Sequence, residues 1–262
     1  MGRLDGKIAV VTGGAGAGIG HGISTVLARE GAFVAILEID LAAAEMVRAR
    51  IEKAGGGAAV FRCDVSKAED VRAAVEQVVQ AHGRLDVLVN SAGIGMIRAV
   101  ADATEEEFDR VAGIDLRGLW LCCKFAIPHM QKHRGGAIVN IASVHSRGTV
   151  PQFGVYAAMK AGVVGLTRGI AVQYGPDNIR ANAICPGLVD GLQTRQILAN
   201  VTSDVEGWLN DFVRRCQAIP QLIQPEDVGR LAAFLASDEA RYITGAEIPI
   251  DAGIWAQLTS RE

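Results

Sequence analysis

The stretch K-I-A-V-V-T-G-G-A-G-A-G-I-G, Lys7 to Gly20, decides the fold of this chain. Lys7 to Thr12 is a short β-branched run with Gly6 before it and glycines after it, and reads as a strand buried on both faces. The glycine run leads into a helical pattern from Ile19 to Glu30. Strand, glycine loop and helix in that order form a phosphate-binding turn. The glycines let the backbone turn tightly and approach a pyrophosphate, and the helix start offers free N–H groups and the positive end of a dipole. The spacing is G-x-x-x-G-x-G, from Gly14 through Gly18 to Gly20, with Ile19 inside it. A strict G-x-G-x-x-G and the lysine of a P-loop are both absent.

Working outward, a second strand, Ala32 to Leu37, runs into Glu38, eighteen residues past Gly20. An acid there accepts hydrogen bonds from the adenosine ribose hydroxyls and repels a 2′-phosphate, which favours NAD over NADP. No arginine or lysine lies between Gly13 and Arg29, or directly after Glu38, to neutralise such a phosphate. Ala42–Lys53 is helical, Ala58–Cys63 is a third strand closing on Asp64 and Val65, and Val71–Ala81 is helical again. Asp86–Val89 is a fourth strand ending in N-S-A-G, Asn90 to Gly93. A long helical stretch from Thr104 to Gln131, with the acidic start T-E-E-E, passes through Asp115 and Trp120. A fifth strand, Ala137–Ile141, a helix reaching Tyr174, a sixth strand, Arg180–Ile184, and a final strand, Glu247–Ile250, follow; Pro225–Asp227 opens another helix. Such alternation implies one doubly wound α/β domain over residues 1–262, a three-layer sandwich with a seven-stranded parallel sheet that binds ligands beyond the carboxyl ends of its strands. Leu188 to Leu222 is the least patterned region and reads as a mobile substrate lid.

The fifth strand delivers a second chemical stretch, S-V-H-S-R-G-T-V-P-Q-F-G-V-Y-A-A-M-K, Ser143 to Lys160. Tyr156 and Lys160 stand four apart and share a helix face. A phenol has an ordinary pKa of about 10, and a nearby ammonium favours its phenolate, so the pair can trade a proton with a substrate. Serine, tyrosine and lysine at one sheet edge make an active-site layout.

Composition narrows the rest. A formal charge of -3 and a pI near 6.0 leave no electrostatic footprint for nucleic acid or an anionic membrane. The five cysteines form no C-x-x-C and read as buried reduced thiols rather than a metal site, so no metal is expected and a reducing compartment is. The start, M-G-R-L-D-G-K, lacks an apolar signal core, the end, T-S-R-E, is no retention or peroxisome address, and no apolar run reaches transmembrane length. A cytoplasmic location is the expectation.

In order, the glycine turn, Asp64-Val65, N-S-A-G, Ser143, Tyr156-x-x-x-Lys160, Pro186-Gly187 and the terminal Y-I-T-G and D-A-G make this sequence resemble the short-chain dehydrogenase/reductase family from Leu4 to about Gly253. The resemblance implies a Rossmann-type fold and hydride transfer between a nicotinamide cofactor and a secondary alcohol or ketone. By that likeness Tyr156 is the general acid/base and Ser143 hydrogen-bonds the substrate oxygen, while Lys160 binds the nicotinamide ribose and holds down the tyrosine pKa. Gly14, Gly18, Ile19 and Gly20 would cradle the pyrophosphate, with Glu38 on the ribose and Asp64 and Val65 at the adenine. Asn90, Ala92, Gly93, Pro186, Gly187 and Val189 would flank the nicotinamide. A homotetramer, or a homodimer, joined through the helices of Asp115 and Tyr156 is also implied.

Three departures from the family pattern stand out. Thr12 and Gly13 lie one residue too far from Gly18, so either Gly13 takes the threonine's place or the loop is longer. The asparagine expected twenty-eight residues before the serine is Asp115. The family's proton relay uses this residue's main-chain carbonyl, which any side chain retains; a carboxylate near Lys160 would weaken the lysine's pull on Tyr156 and move optimal oxidation to higher pH. The threonine expected after Pro186-Gly187 is Gly191, with Thr194 the nearest substitute. The expected substrate wall, Met96, His145, Phe153, Leu188 and the Trp208 region, is mostly apolar and favours a cyclic or aromatic substrate. Arg98, Arg147 and Arg195 read as surface charge before anion ligands. Two other readings stay open: a non-catalytic NAD sensor, and a related epimerase or dehydratase that retains NAD.

Overall fold

The structure, a computed structural model, describes residues 2–257, so the T-S-R-E end lies outside the described residues. Its strands are β1 (Ile8–Thr12), β2 (Phe33–Glu38), β3 (Gly57–Arg62), β4 (Val87–Asn90), β5 (Gly136–Ile141), β6 (Ile179–Pro186) and β7 (Glu247–Ile250). They form one sheet in the order β3-β2-β1-β4-β5-β6-β7, every pair parallel. β1 and β4 are adjacent, with the chain winding outward from them in both directions. That is the switch point at which a doubly wound sheet opens a crevice. β1 is buried along its whole length, as a strand covered on both faces must be, and this is why its sequence is an unbroken apolar run.

The helices are α1 (Gly20–Arg29), α2 (Leu41–Lys53), α3 (Ala68–His82), α4 (Glu105–Ala112), α5 (Leu119–Lys132), α6 (Gly154–Tyr174), α7 (Leu192–Ala199), α8 (Val205–Cys216) and α9 (Pro225–Ala236). Two apolar layers sandwich the sheet. Ile23, Leu27, Val228 and Leu235 of α1 and α9 build one, and Val71, Val78, Leu121 and Val163 of α3, α5 and α6 the other. Local signals set the helix starts: Asp40 accepts from Ala43 N at 3.1 Å, and Thr104 with Glu107 closes a reciprocal capping box. By length and composition the helix spanning Gly154–Asp177 is apolar enough to cross a membrane, but it carries Lys160 and turns Val163, Val164 and Ile170 into the core.

Two regions differ from the sequence reading. The stretch read as one helix from Thr104 is α4, a π-helical segment (Gly113–Gly118) and α5. The wider turn keeps Val111, Asp115 and Leu119, spaced by four, all buried. The proposed lid contains two helices. Its signal was present in Leu209 and Val213, buried four apart, and in Asp204, which accepts from Gly207 N at 2.8 Å to cap α8.

Candidate active site

At the carboxyl end of β1, Thr12 Oγ1 accepts from Ser91 N and Ala92 N, each at 3.2 Å, tying the strand end to the N-S-A-G turn. The register of Thr12 is therefore kept, and the glycine loop is the longer of the two alternatives by one residue. A Cβ at Gly20 would stand 1.8 Å from the Gly13 carbonyl oxygen, so only glycine lets the helix start fold this close over the loop. Ser24 Oγ donates to Gly14 O at 2.7 Å, which turns Gly14 behind the loop. Gly18, Ile19 and Gly20 face the cleft. α7 rests on the same loop through Gln193 N, which donates to Ala17 O at 2.8 Å.

The cleft has a volume of about 1590 Å³, ample for a dinucleotide with a substrate beside it. Glu38, nearly buried, stands at its far end. Ile39 N donates to Glu38 Oε1 at 2.8 Å and Ala15 N lies 3.4 Å from Oε2, so the carboxylate is steered back toward the glycine loop. Asp64 and Val65 complete this end. The Ser66 hydroxyl, 2.6 Å from Asp64 Oδ1, holds the Asp64 carboxyl below the usual range, with burial opposing and the Ser66 amide and Lys67 assisting. Exposed Ile39 lines the same rim and was missed, because a single apolar residue after a strand carries no signal.

At the other end, β5, α6 and the π-helical segment deliver the reactive groups. Ser143 is nearly buried at the start of a tight turn, and its Oγ accepts from His145 N at 3.2 Å. That bond occupies a lone pair and leaves the hydroxyl hydrogen free to donate into the cleft. Lys160 and Asp115 form an ion pair, Nζ to Oδ2 at 3.0 Å, with side chains 7% and 0% exposed. Ile94 N donates to Asp115 Oδ1 at 2.8 Å, and Lys160 Nζ lies 3.4 Å from Ile141 O and 5.4 Å from the Tyr156 ring centre. Burial pulls the Lys160 ammonium down, but the charges of Asp115 and Tyr156 outweigh it and hold its pKa above the ordinary value. Gly93 belongs to this site for a steric reason: a Cβ there would press on Asp115 Oδ2 at 3.2 Å and Lys160 Nζ at 3.3 Å. The four side chains can thus move a proton at Tyr156 and hold an oxygen at Ser143.

Beyond them the cleft becomes apolar. The His145 ring stacks on Phe153 with centres 4.7 Å apart and meets the edge of Tyr156 at 5.6 Å, while Trp208 stacks on Phe212 at 5.3 Å. Leu188, Val150, Ile97 and Trp255 join this wall. Burial lowers the His145 pKa, and its Nδ1 pairs with Thr149 Oγ1 at 2.9 Å. Trp255 escaped the sequence reading because a tryptophan after the last strand has no periodic context to place it.

Other expected residues stand apart from the cleft. Met96 is buried with Val111, Val155 and Met159 in a separate cluster, so its neighbours Gly95 and Ile97 line the wall in its place. Asn90 also sits behind the cleft: its amide donates to Asn140 Oδ1 at 2.8 Å, and Asn140 donates to Thr167 Oγ1 at 2.8 Å. Ala92, Pro186, Gly187 and Val189 do face it. Thr194 lines it too, though its hydroxyl is spent on Val189 O at 2.8 Å. Arg98 pairs with Glu107, Arg147 with Glu247, and Arg195 with Asp190 and Glu206, so all three charges are already matched. Four of the five cysteines are buried free thiols as expected, whereas Cys216 at the end of α8 is only half-buried; burial lifts Cys63 and Cys123 to about 12 and Cys185 to about 11. Among the described residues no cluster suits a metal ion.

Comparisons with known proteins identify the family. The family described as enoyl-(acyl carrier protein) reductase matches residues 14–255. A meso-2,3-butanediol dehydrogenase of Serratia marcescens is 37% identical over 257 residues, covering 97% of this chain and 96% of that one. A short-chain dehydrogenase/reductase of Armillaria gallica is also 37% identical, over 95% of this chain and 96% of its own. The crystal structure of a dehydrogenase/reductase from Sinorhizobium meliloti superposes with a TM-score of 0.86 at 35% identity, covering 96% of both chains. With its all-parallel sheet, glycine turn and near full-length relatives, the chain belongs to the short-chain dehydrogenase/reductase family and is an oxidoreductase.

Proposed function

We propose that this oxidoreductase interconverts a secondary alcohol and a ketone with NAD, using Ser143, Tyr156 and Lys160. The observation that carries the reading is that these three side chains meet in one cleft whose opposite end is closed by the Glu38 carboxylate. The glycine cradle fits a dinucleotide, since Gly13, Gly16, Gly18 and Gly20 bring bare backbone to the wall of the cleft. When bound, the oxidised nicotinamide supplies the hydride acceptor. The chain's own groups do the rest: Lys160 favours the Tyr156 phenolate, whose Oη takes the substrate hydroxyl proton as hydride leaves the carbinol carbon, and Ser143 donates its hydroxyl hydrogen to the substrate oxygen. One alcohol and one oxidised nucleotide give one ketone, one reduced nucleotide and one proton.

Glu38 supports NAD, because a 2′-phosphate would be brought against a nearly buried carboxylate that accepts from a backbone amide, while Arg62, its register neighbour on β3, is already paired with Asp70. The aromatic wall of Phe153, Trp208 and Trp255 supports a cyclic or aromatic substrate. His145, kept neutral by burial, is suited to meet a second oxygen on it, and the relative named for a diol points the same way. The buried thiols suit a reducing, cytoplasmic setting. Trp120, 43% exposed, lines with Leu116 and Leu166 a groove between α4, α5 and α6 that suits pairing with further copies in a homotetramer.

The test is reduced-nicotinamide absorbance with secondary alcohols, cyclic, aromatic and vicinally dihydroxylated, with NAD and NADP side by side. Turnover is expected with NAD at least 100-fold faster than with NADP, and Glu38→Ser is expected to narrow that gap to about 10-fold, since one removed repulsion is worth roughly 1–2 kcal/mol. An unchanged preference in Glu38→Ser sinks the role given to the carboxylate. A single turnover per bound nucleotide, with cofactor retained, favours the epimerase or dehydratase reading.

A further inference from the structure

Glu247 opens β7 opposite Ala183 of β6, and its carboxylate is 5% exposed. A charge that deep persists only where it is paired. Ser146 Oγ lies 2.7 Å from its Oε1. Arg147 and Arg168 reach its Oε2, each at 3.1 Å. The Cys185 thiol stands 3.9 Å from Oε1. These partners come from separate elements, and two of them, Ser146 and Arg147, belong to the turn that follows Ser143.

That turn's other hydrogen bonds are mostly internal to it, including one from Ser146 Oγ to Ser143 O at 2.8 Å. Ser146 N donates to Ser143 O at 3.0 Å, and His145 N donates to Ser143 Oγ at 3.2 Å. The Arg147 guanidinium lies over the Trp255 ring at 4.6 Å, and Trp255 Nε1 donates to Val144 O at 2.9 Å. One carboxylate therefore grips the back of the serine turn directly and reaches the tryptophan of the cleft wall through one residue. Val144, His145 and Arg147 line the cleft, with Ser146 and Glu247 behind them.

We propose that Glu247 is a positioning residue for this site, a buried anchor that fixes the turn carrying Ser143 and His145 and so sets the angle at which the serine hydroxyl meets the substrate oxygen. The inference rests on the role given to Ser143 above. It makes a demand that simple charge neutralisation does not: the value of Glu247 to the reaction must be expressed through Ser143.

A double-mutant cycle reads that demand. Glu247→Gln is expected to lower kcat about 10- to 100-fold, the penalty of a hydrogen-bonding group displaced by about an ångström, with nucleotide Kd by fluorescence titration within about twofold of wild type. In Ser143→Ala, assayed at micromolar enzyme for its residual turnover, the same substitution is expected to change kcat less than about twofold. Equal losses in both backgrounds, or a wild-type kcat in Glu247→Gln, overturn the proposal. Should Glu247→Gln fail to fold, Ser146→Ala removes the hydroxyl that bridges Glu247 to the Ser143 carbonyl and is read on the same cycle, with a fall of about 3- to 10-fold expected and no fall overturning the proposal. Wild-type turnover in Ser143→Ala alone would instead strike the reading of the serine and leave Glu247 a structural ion pair.

Discussion

Tyr156→Phe is expected to lower kcat by about 10²- to 10⁴-fold while nucleotide affinity stays within a few-fold, because the substitution removes one oxygen and with it the group proposed to accept the alcohol proton. The packing argument supports so selective a loss. The tyrosine ring meets the edges of His145 and Phe153, with centres 5.6 and 6.1 Å away, and a phenylalanine ring keeps both contacts. Neither member of the neighbouring ion pair is free to take the proton over: the Lys160 ammonium is already protonated, and Asp115 has its two oxygens toward Ile94 N and Lys160. Stopped-flow binding of the nucleotide beside steady-state turnover checks the claim. A variant that binds nucleotide normally and retains a tenth of the wild-type kcat would remove Tyr156 from the proton transfer.

Lys160→Met has a second consequence besides lost turnover. Asp115 is wholly buried, and without the ammonium its carboxylate keeps a single hydrogen bond, from Ile94 N. Breaking one half of a buried ion pair costs about 3–5 kcal/mol, because the remaining charge is stranded away from water. In a chain of this size each kcal/mol moves the melting temperature by about 2–4 °C, so a fall of roughly 6–20 °C is expected by calorimetry. The double variant Lys160→Met/Asp115→Asn replaces the stranded charge with a neutral amide and is expected to recover most of that stability without recovering turnover. If the double variant melts no higher than Lys160→Met, the ion pair is not what the lysine contributes to the fold. If it regains turnover, Lys160 has no catalytic part.

How much of this was legible beforehand varies with the physics of each element. The sheet was readable because parallel strands covered on both faces must be continuous apolar runs, and those runs end where the reactive residues begin. Tyr156, Lys160 and Ser143 were readable because a four-residue helical spacing and a strand end fix their placement locally. Three things were not. Met96 faces away from the cleft, since in a short loop adjacent side chains diverge and no period says which one turns inward. The π-helical segment at Asp115 was hidden because a five-residue backbone ladder and a four-residue one carry the same spacing of apolar positions. Glu247 went unread because its partners, Ser146, Arg147 and Arg168, lie 101, 100 and 79 positions away and meet it only when β7 docks on β6. Long-range pairing of that kind is set by topology and leaves no local trace.

The account turns on the lysine shared between Asp115 and Tyr156, and the pH–rate profile of Asp115→Asn tests it most directly. In the wild type, Lys160 is paired with a carboxylate at 3.0 Å, so Tyr156 faces an ion pair rather than a lone cation. Removing the negative charge while keeping the side chain's shape exposes Tyr156 to the full positive charge, which favours its deprotonated form. A charge removed from the far side of the lysine, in a medium of effective dielectric ~20–40, is worth about 1–2 kcal/mol, or about one pH unit. The ascending limb of kcat for alcohol oxidation should therefore move to lower pH by about one unit in Asp115→Asn. A limb that stays in place, or moves to higher pH, would contradict the account and show that the carboxylate is a structural partner of Lys160 with no hand in the proton transfer.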